Sequence, residues 1–218
     1  RDAAEPAQTR CPLAILRLAI KARRSLMSAR PVLYSFRRCP YAMRARWALL
    51  QAGQLVQWRE IELKDKPAPM LEASPKATVP VLVLADGTVI DESLAVMHWA
   101  LKQADPCDLR RQGSGKTQDS IQQLIELNDT TFKHHLDRFK YTDRYPGQSK
   151  QEHQQQGLEV LRSWSDQIDG CGGWLVDASC SLADVALWPF VRQWRIADPD
   201  GFDADQSLQP LRGWLRRF

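Results

Sequence analysis

VLYSFRRCPYAMRARWALLQAG, residues 32–53, decides how this chain is read. Val32 to Ser35 is a short β-prone run. Pro40 to Ala52 then supplies helix formers, with Ala45, Ala48, Leu49 and Ala52 on one face, and Gly53 falls where a helix can end in the left-handed region. Cys39 stands between strand and helix, where unpaired backbone N–H groups and the helix dipole favour an anion. Pro40 suits the first helical position because its missing N–H costs nothing there. Arg37, Arg38, Arg44 and Arg46 lie close in sequence and no carboxylate does, so the thiol pKa is expected to fall and a nucleophilic thiolate to result. Ala42 occupies the place where a dithiol motif has its second cysteine. Cys39 is therefore expected to act alone, its disulfide resolved by an outside thiol.

Working outward, Val56 to Leu63 reads as a second strand and Pro67 to Ala73 as a short helix. Val79 to Leu84, Asp86-Gly87 and Thr88 to Ile90 form a hairpin pattern, and Ser93 to Lys102 a helix with Leu94, Met97, His98 and Leu101 in register. Strands interleaved with helices imply a mixed sheet with crossover connections. The order βαβαββα over residues 31–106 is that of a thioredoxin-like domain, an α/β unit. Residues 107–116 read as a linker. The pattern then turns all-α over 117–218, with helices expected near 117–140, 150–168, 182–197 and 206–218. Ser181-Leu-Ala-Asp184 is a capping-box-like start, and Pro189 should kink the helix that follows. The last segment stops without Gly or Pro, as a truncation within a helix would.

The chain has 218 residues, a formal charge of +4 and eight tryptophans. Residues 1–26 carry the whole charge excess, leaving 24 basic against 24 acidic residues in the body. Without a basic face there is little electrostatic case for a nucleic-acid partner. No apolar run approaches the ~18–20 residues needed to span a bilayer, so no membrane association is expected. Residues 1–30 form an Arg-rich extension resembling either a transit peptide or a translated upstream segment, and are set aside from fold reasoning. Five cysteines at irregular spacings, with no CxxC, suggest reduced thiols and a cytoplasmic setting.

Two further stretches could face a ligand. Thr78-Val79-Pro80-Val81 places a proline at a strand start, and a cis bond there would expose the Val79 backbone groups. Asp91-Glu92-Ser93 opens a helix with carboxylates, a hydroxyl and free N–H groups, an arrangement that could hold both ends of an amino acid.

Cys39-Pro-Tyr-Ala with Arg44 and Arg46, Leu63-Lys-Asp-Lys66-Pro67, Thr78-Val-Pro-Val81, Asp91-Glu-Ser93 and Ser181-Leu-Ala-Asp-Val-Ala-Leu-Trp-Pro-Phe190 together resemble the cytosolic glutathione transferases. The nearest type is the omega-like, cysteine-dependent one, with the two-domain glutaredoxins close by. The resemblance implies glutathione as co-substrate, a catalytic Cys39 that forms a mixed disulfide with it, and contacts to the tripeptide from Tyr41, Lys66, Val79, Pro80, Glu92 and Ser93. In that arrangement the Val79 backbone pairs with the cysteinyl portion, Glu92 and Ser93 hold the γ-glutamyl end, and Lys66 meets the glycyl carboxylate. It further implies a homodimer and an unknown electrophilic or disulfide second substrate. Tyr34 lies before the turn, so activation through a tyrosine is not supported. The alternative is a noncatalytic partner-binding protein on the same fold, of the stringent-starvation, RNA polymerase-associated type.

Three other patterns are weaker. Gly113-Ser-Gly-Lys-Thr117 looks like a phosphate loop, but Arg110 stands where the first glycine belongs and no strand precedes it. His134-His135 with His153 could suggest a metal. Adjacent histidines on a helix point about 100° apart, and no Cys or carboxylate set converges on them, so no metal site is expected. Phe132, Trp188, Phe190 and Trp194 are expected mostly in the core, some facing a cleft where an apolar co-substrate would sit.

Overall fold

The computed structural model describes residues 30–218; the basic N-terminal extension lies outside the described residues. Strand β1 (Val32–Ser35), helix α1 (Pro40–Gln51), strand β2 (Gln57–Glu60), helix α2 (Ala68–Ala73), strands β3 (Val81–Val83) and β4 (Val89–Ile90) and helix α3 (Ser93–Gln103) build a mixed sheet of order β2-β1-β3-β4. β1 pairs parallel with β2 and antiparallel with β3, and β3 pairs antiparallel with β4. This is the thioredoxin-like domain, and a helical region follows it.

Residue alternation fixes the register. Leu33 and Leu82, opposite each other, join the core with Ala45, Ala48 and Leu49 of α1 and Val96 and Met97 of α3. Tyr34 and Val81, also opposite each other, pack on the other face with Met70 of α2 and Ile61. A slip of one residue would swap the faces and expose the two leucines at about 1.5–3 kcal/mol each. β2 is shorter than its β-prone run because its partner β1 has only four residues. Ile61 N–H still reaches the Ser35 carbonyl at 2.9 Å, and the chain then turns away. Gly53 ends α1 at φ +62°, as its position requires.

The helical region comprises α4 (Gly115–Leu127), a π-helical turn (Asn128–Phe132), α5 (Lys133–Lys140), α6 (Lys150–Gly170), α7 (Leu182–Ala197), α8 (Pro199–Ala204) and α9 (Gln209–Leu215). The expected helix over 117–140 is thus three pieces wound end to end. α8 is missing from the sequence reading because Pro199 and Gly201 look like breakers. Pro199 instead occupies the first turn, and the Asp198 carboxylate accepts from Gly201 N–H at 3.1 Å. α7 continues through Pro189, and every residue from Leu182 to Val191 is buried. The Asp184 carboxylate accepts from Ser181 N–H and Oγ (2.8 and 2.6 Å), Leu175 N–H (2.9 Å) and Trp214 Nε1 (2.7 Å). Burial pushes its pKa up, against the downward pull of those bonds.

The stretch between α3 and α4 packs against the body. Leu109 is buried, and its carbonyl accepts from Leu182 N–H at 2.8 Å. Arg111 grips Asp177 through two hydrogen bonds of 2.8 and 3.0 Å and donates to the Ser179 and Cys180 carbonyls. Ser114 of the phosphate-loop-like pattern caps α4, its Oγ accepting from Thr117 N–H at 3.3 Å.

Candidate functional site

Cys39 sits half-buried at the N-terminal cap of α1 with extended backbone. Its Sγ lies 3.8 Å from the Val79 carbonyl, and the Val79–Pro80 bond is cis. The strand-to-helix turn and the Thr78-to-Val81 stretch, 40 residues apart, therefore meet at the thiol. The turn itself is tied down on several sides. Arg46 donates to Ser35 Oγ (2.7 Å) and to the Phe36 and Arg37 carbonyls (3.3 and 2.9 Å). Gln193 of α7 donates to the Arg38 carbonyl at 3.3 Å, and Arg37 N–H donates to Glu60 Oε1 at 2.6 Å. The sequence reading missed Gln193, since nothing local marks a residue that acts across 155 positions.

Arg44, expected near the thiol as a free cation, is committed elsewhere. Its side chain is 2% exposed and makes a two-pronged ion pair with Asp129 in the π-helical turn, at 2.8 and 2.7 Å. Its Nε donates to Ser93 Oγ at 3.0 Å, and the guanidinium lies over the rings of Tyr41 (5.0 Å) and Phe190 (5.5 Å). Arg44 thus joins α1, α3 and the helical region beside two expected site residues. Burial first, then the Asp129 charge, pushes the Tyr41 phenol up to about 12, so it stays protonated at neutral pH as a donor.

Ser93 is buried at the start of α3, and Glu92 before it is exposed. The Ser93, Leu94 and Ala95 N–H groups precede the first intrahelical bond, from Val96 N–H to the Glu92 carbonyl. Lys76 bridges Glu92 (2.7 Å) and Asp91 (3.3 Å), and Ser74 Oγ donates to Asp91 at 2.8 Å. That hydrogen bond leads the causes holding the Asp91 carboxyl below the usual range. The Lys76–Glu92 pair is solvent-exposed and weak, so an ammonium group on a ligand can compete with it. Lys66 lies half-buried before α2 and makes no ion pair or hydrogen bond with any other expected site residue. The structure thus joins Cys39 to Val79 and Pro80, and Tyr41 to Ser93 through Arg44, and leaves Lys66 apart.

A cavity of about 860 Å³ opens between α7, α8 and α9, with Met43 of α1 and Trp188 on its wall. A second of about 460 Å³ shares Met43 and Trp188 and reaches Trp47 and Trp58. Phe132, Phe190 and Trp194 are fully buried. Of the four aromatics expected mostly in the core with some facing a cleft, Trp188 is the one on a cavity wall, while Phe190 meets Tyr41 edge-on at 4.9 Å.

The expectation that His134 and His135 diverge needs correcting. Their rings lie 5.1 Å apart because His153 of α6 stands at the seam between them, 5.5 and 5.2 Å from each. Helical geometry separates the Cα–Cβ bonds, but packing against a neighbouring helix gathers the ring ends.

Comparison with known proteins bears on this arrangement. Residues 33–108 match a family model, the glutathione S-transferase N-terminal domain. Solved structures extend the likeness into the helical region. Glutathione transferase Omega 3C from Trametes versicolor superposes with a TM-score of 0.72 at 22% identity, covering 92% of this chain and 85% of that one. A rice glutathione transferase in complex with glutathione gives 0.70 at 23%, covering 86% and 85%. A glutathione S-transferase-I bound to lactoylglutathione gives 0.69 at 20%, covering 87% and 93%. No curated protein matches by sequence. The chain therefore has the glutathione transferase fold, and its N-terminal domain matches the model of that family. No helix among the described residues is long and apolar enough to cross a membrane.

Proposed function

We propose that this protein is a glutathione-dependent thiol transferase working through Cys39. The observation that carries the reading is a lone thiol at the start of α1, within 3.8 Å of the Val79 carbonyl, on a fold whose solved relatives include complexes with glutathione and lactoylglutathione. The free N–H groups of the first turn of α1 would face the sulfur as it attacks. Glutathione would lie with its cysteinyl backbone along Val79 and Pro80. Its γ-glutamyl ammonium would replace Lys76 at Glu92, and its carboxylate would take the free N–H groups of α3 and the Ser93 hydroxyl. Tyr41, kept protonated, supplies a hydrogen-bond donor. Lys66, with no ion pair among the described residues, is available for the glycyl carboxylate.

In the first step the Cys39 thiolate attacks the glutathione sulfur of a glutathionylated substrate. The disulfide breaks, the substrate leaves as a thiolate that takes a proton from water, and Cys39 carries glutathione in a mixed disulfide. A second glutathione thiolate attacks the bound glutathione sulfur, releasing oxidised glutathione and restoring the Cys39 thiolate. Ala42 favours this route because Cys39 has no neighbouring thiol to resolve the adduct. The cycle requires a reducing compartment with abundant glutathione, as the cytoplasm provides.

The test is a glutathione-dependent disulfide-exchange assay on the wild type and Cys39→Ser, with mass spectrometry of the intact protein. The wild type should gain one glutathione adduct, and the variant should lose both the adduct and at least about 99% of the activity. Full activity in the variant with no wild-type adduct would overturn the mechanism. Gain of conjugation in the variant would mark a transferase that activates glutathione through a hydroxyl. Failure of the wild type to bind immobilised glutathione would favour a noncatalytic scaffold.

A further inference from the structure

The geometry points to a second site, outside the thiol cleft: a binding site for a borderline transition-metal dication such as Zn²⁺, formed by His134 and His135 of α5 and His153 of α6. The three imidazoles each offer a ring nitrogen, and these nitrogens all lie within 4.8 Å of one another. His135 Nδ1 and His153 Nδ1 are already 2.9 Å apart. Two nitrogens bound at ~2.0–2.1 Å in a tetrahedral shell sit ~3.3–3.4 Å apart, so this pair parts by only ~0.4 Å to admit an ion. The His134 nitrogen closes by ~1.5 Å at most, within reach of a turn of its exposed ring.

The surroundings fit this use. His153 Nε2 lies 3.1 Å from Gln148 Oε1, an acceptor that fixes Nε2 as the protonated nitrogen and leaves Nδ1 free to ligate. His135 then carries its proton on Nδ1, shared toward His153. Metal binding moves that proton to Nε2 of the same ring, so neither imidazole changes charge. Arg138 holds its guanidinium 4.4 Å over the Tyr145 ring and donates to the His134 carbonyl, and its positive charge, which opposes a bound cation, is felt at His134 and His135. Glu159 beside His135 and Asp137 beside His134 offset that charge in part, Asp137 while paired with Lys133.

An all-imidazole set selects Zn²⁺, Cu²⁺ or Ni²⁺ over the oxygen-seeking Ca²⁺ and Mg²⁺. Three protein ligands with His134 at the surface leave a coordination position for water or an added ligand. The ion would also clamp the first turn of α5 to the first turn of α6.

The experiment is equilibrium dialysis of the EDTA-washed full chain against Zn²⁺ alone, comparing the wild type with His134→Ala, His135→Ala, His153→Ala and His98→Ala. His98 is the remaining histidine of the four, and zinc held by thiols is common to every variant. The three cluster variants should each lose one ion per chain, with affinity down by more than about tenfold, while His98→Ala should match the wild type. Gln148→Ala should weaken binding by about tenfold, the effect of losing an outer-shell orienter. Circular dichroism checks that each variant is folded, and Co²⁺ absorption reports nitrogen ligation separately. Zinc binding that is absent from the wild type, or unchanged across the three cluster variants, overturns the assignment.

Discussion

The Arg44–Asp129 pair predicts an asymmetry in which removing the partly exposed acid costs more than removing the buried base. Asp129→Ala leaves a guanidinium that is 2% exposed with only the Ser93 hydroxyl as acceptor. Stripping one partner from a buried pair costs about 3–5 kcal/mol, and the 27% exposure of Asp129 lets water into the gap, which argues for the lower end, about 3 kcal/mol. Arg44→Met keeps the buried stem and the volume but leaves Ser93 Oγ without its donor. Asp129 retains Asn128 Nδ2 at 2.8 Å and solvent, so the cost should be about 1–2 kcal/mol. For a chain of this size those figures correspond to Tm losses of about 6–12 °C and about 2–8 °C. The double variant should resemble Arg44→Met alone, giving a coupling of about 3 kcal/mol, the whole cost of Asp129→Ala. Thermal unfolding followed by tryptophan fluorescence would measure all three. If Arg44→Met is the more damaging substitution, or the two add without coupling, the burial argument is wrong.

Gly157→Ala on α6 would place a Cβ 2.2 Å from the Trp194 ring, which is buried and stacked on Phe139 at 4.7 Å. The clash should outweigh the roughly 1 kcal/mol helix preference for alanine and lower Tm by about 3–8 °C; an unchanged or raised Tm refutes it. The Asp177 carboxyl is held well below its unfolded value, first by its hydrogen bond from Arg111. A folded pKa below the unfolded one adds stability that is present above the unfolded value and lost as the pH falls below it toward the folded one, so Tm should drop as the pH falls from about 4 to about 2. Arg111→Met should flatten that acid slope, and a slope as steep as the wild type would show that other carboxylates set it.

The thioredoxin-like domain was legible because its signals are local. Leu33 and Tyr34 alternate along β1, Gly53 ends α1, and Asp86-Gly87 turns the hairpin, each within a few residues of its effect. Cys39 was visible for the same reason, as was the capping pair Ser181 and Asp184. The hidden features depend on distance. Arg44 and Arg46 look alike in sequence, yet one bonds Asp129 across 85 positions and the other buckles the turn before Cys39. The short β2 was over-read because a strand's length is set by its partner. The histidine trio is visible in the sequence as a possible metal set, but spacing along α5 says nothing about what α6 brings to it.

The turn from Ser35 to Arg38 is held by Arg46 of α1, Glu60 of β2 and Gln193 of α7. Ordering a backbone residue costs ~1–2 kcal/mol of entropy, and for these four residues that loss is incurred on folding, before any substrate arrives. The thiol is thus preorganised. In the proposed cycle, loosening a remote anchor such as Gln193 would slow the encounter chemistry at Cys39 while leaving the ligand contacts proposed for Glu92 and Ser93 unaltered. On that reading, speed at this thiol is inherited from the packing of α7 against the turn, a property written more than 150 residues away from the sulfur it serves.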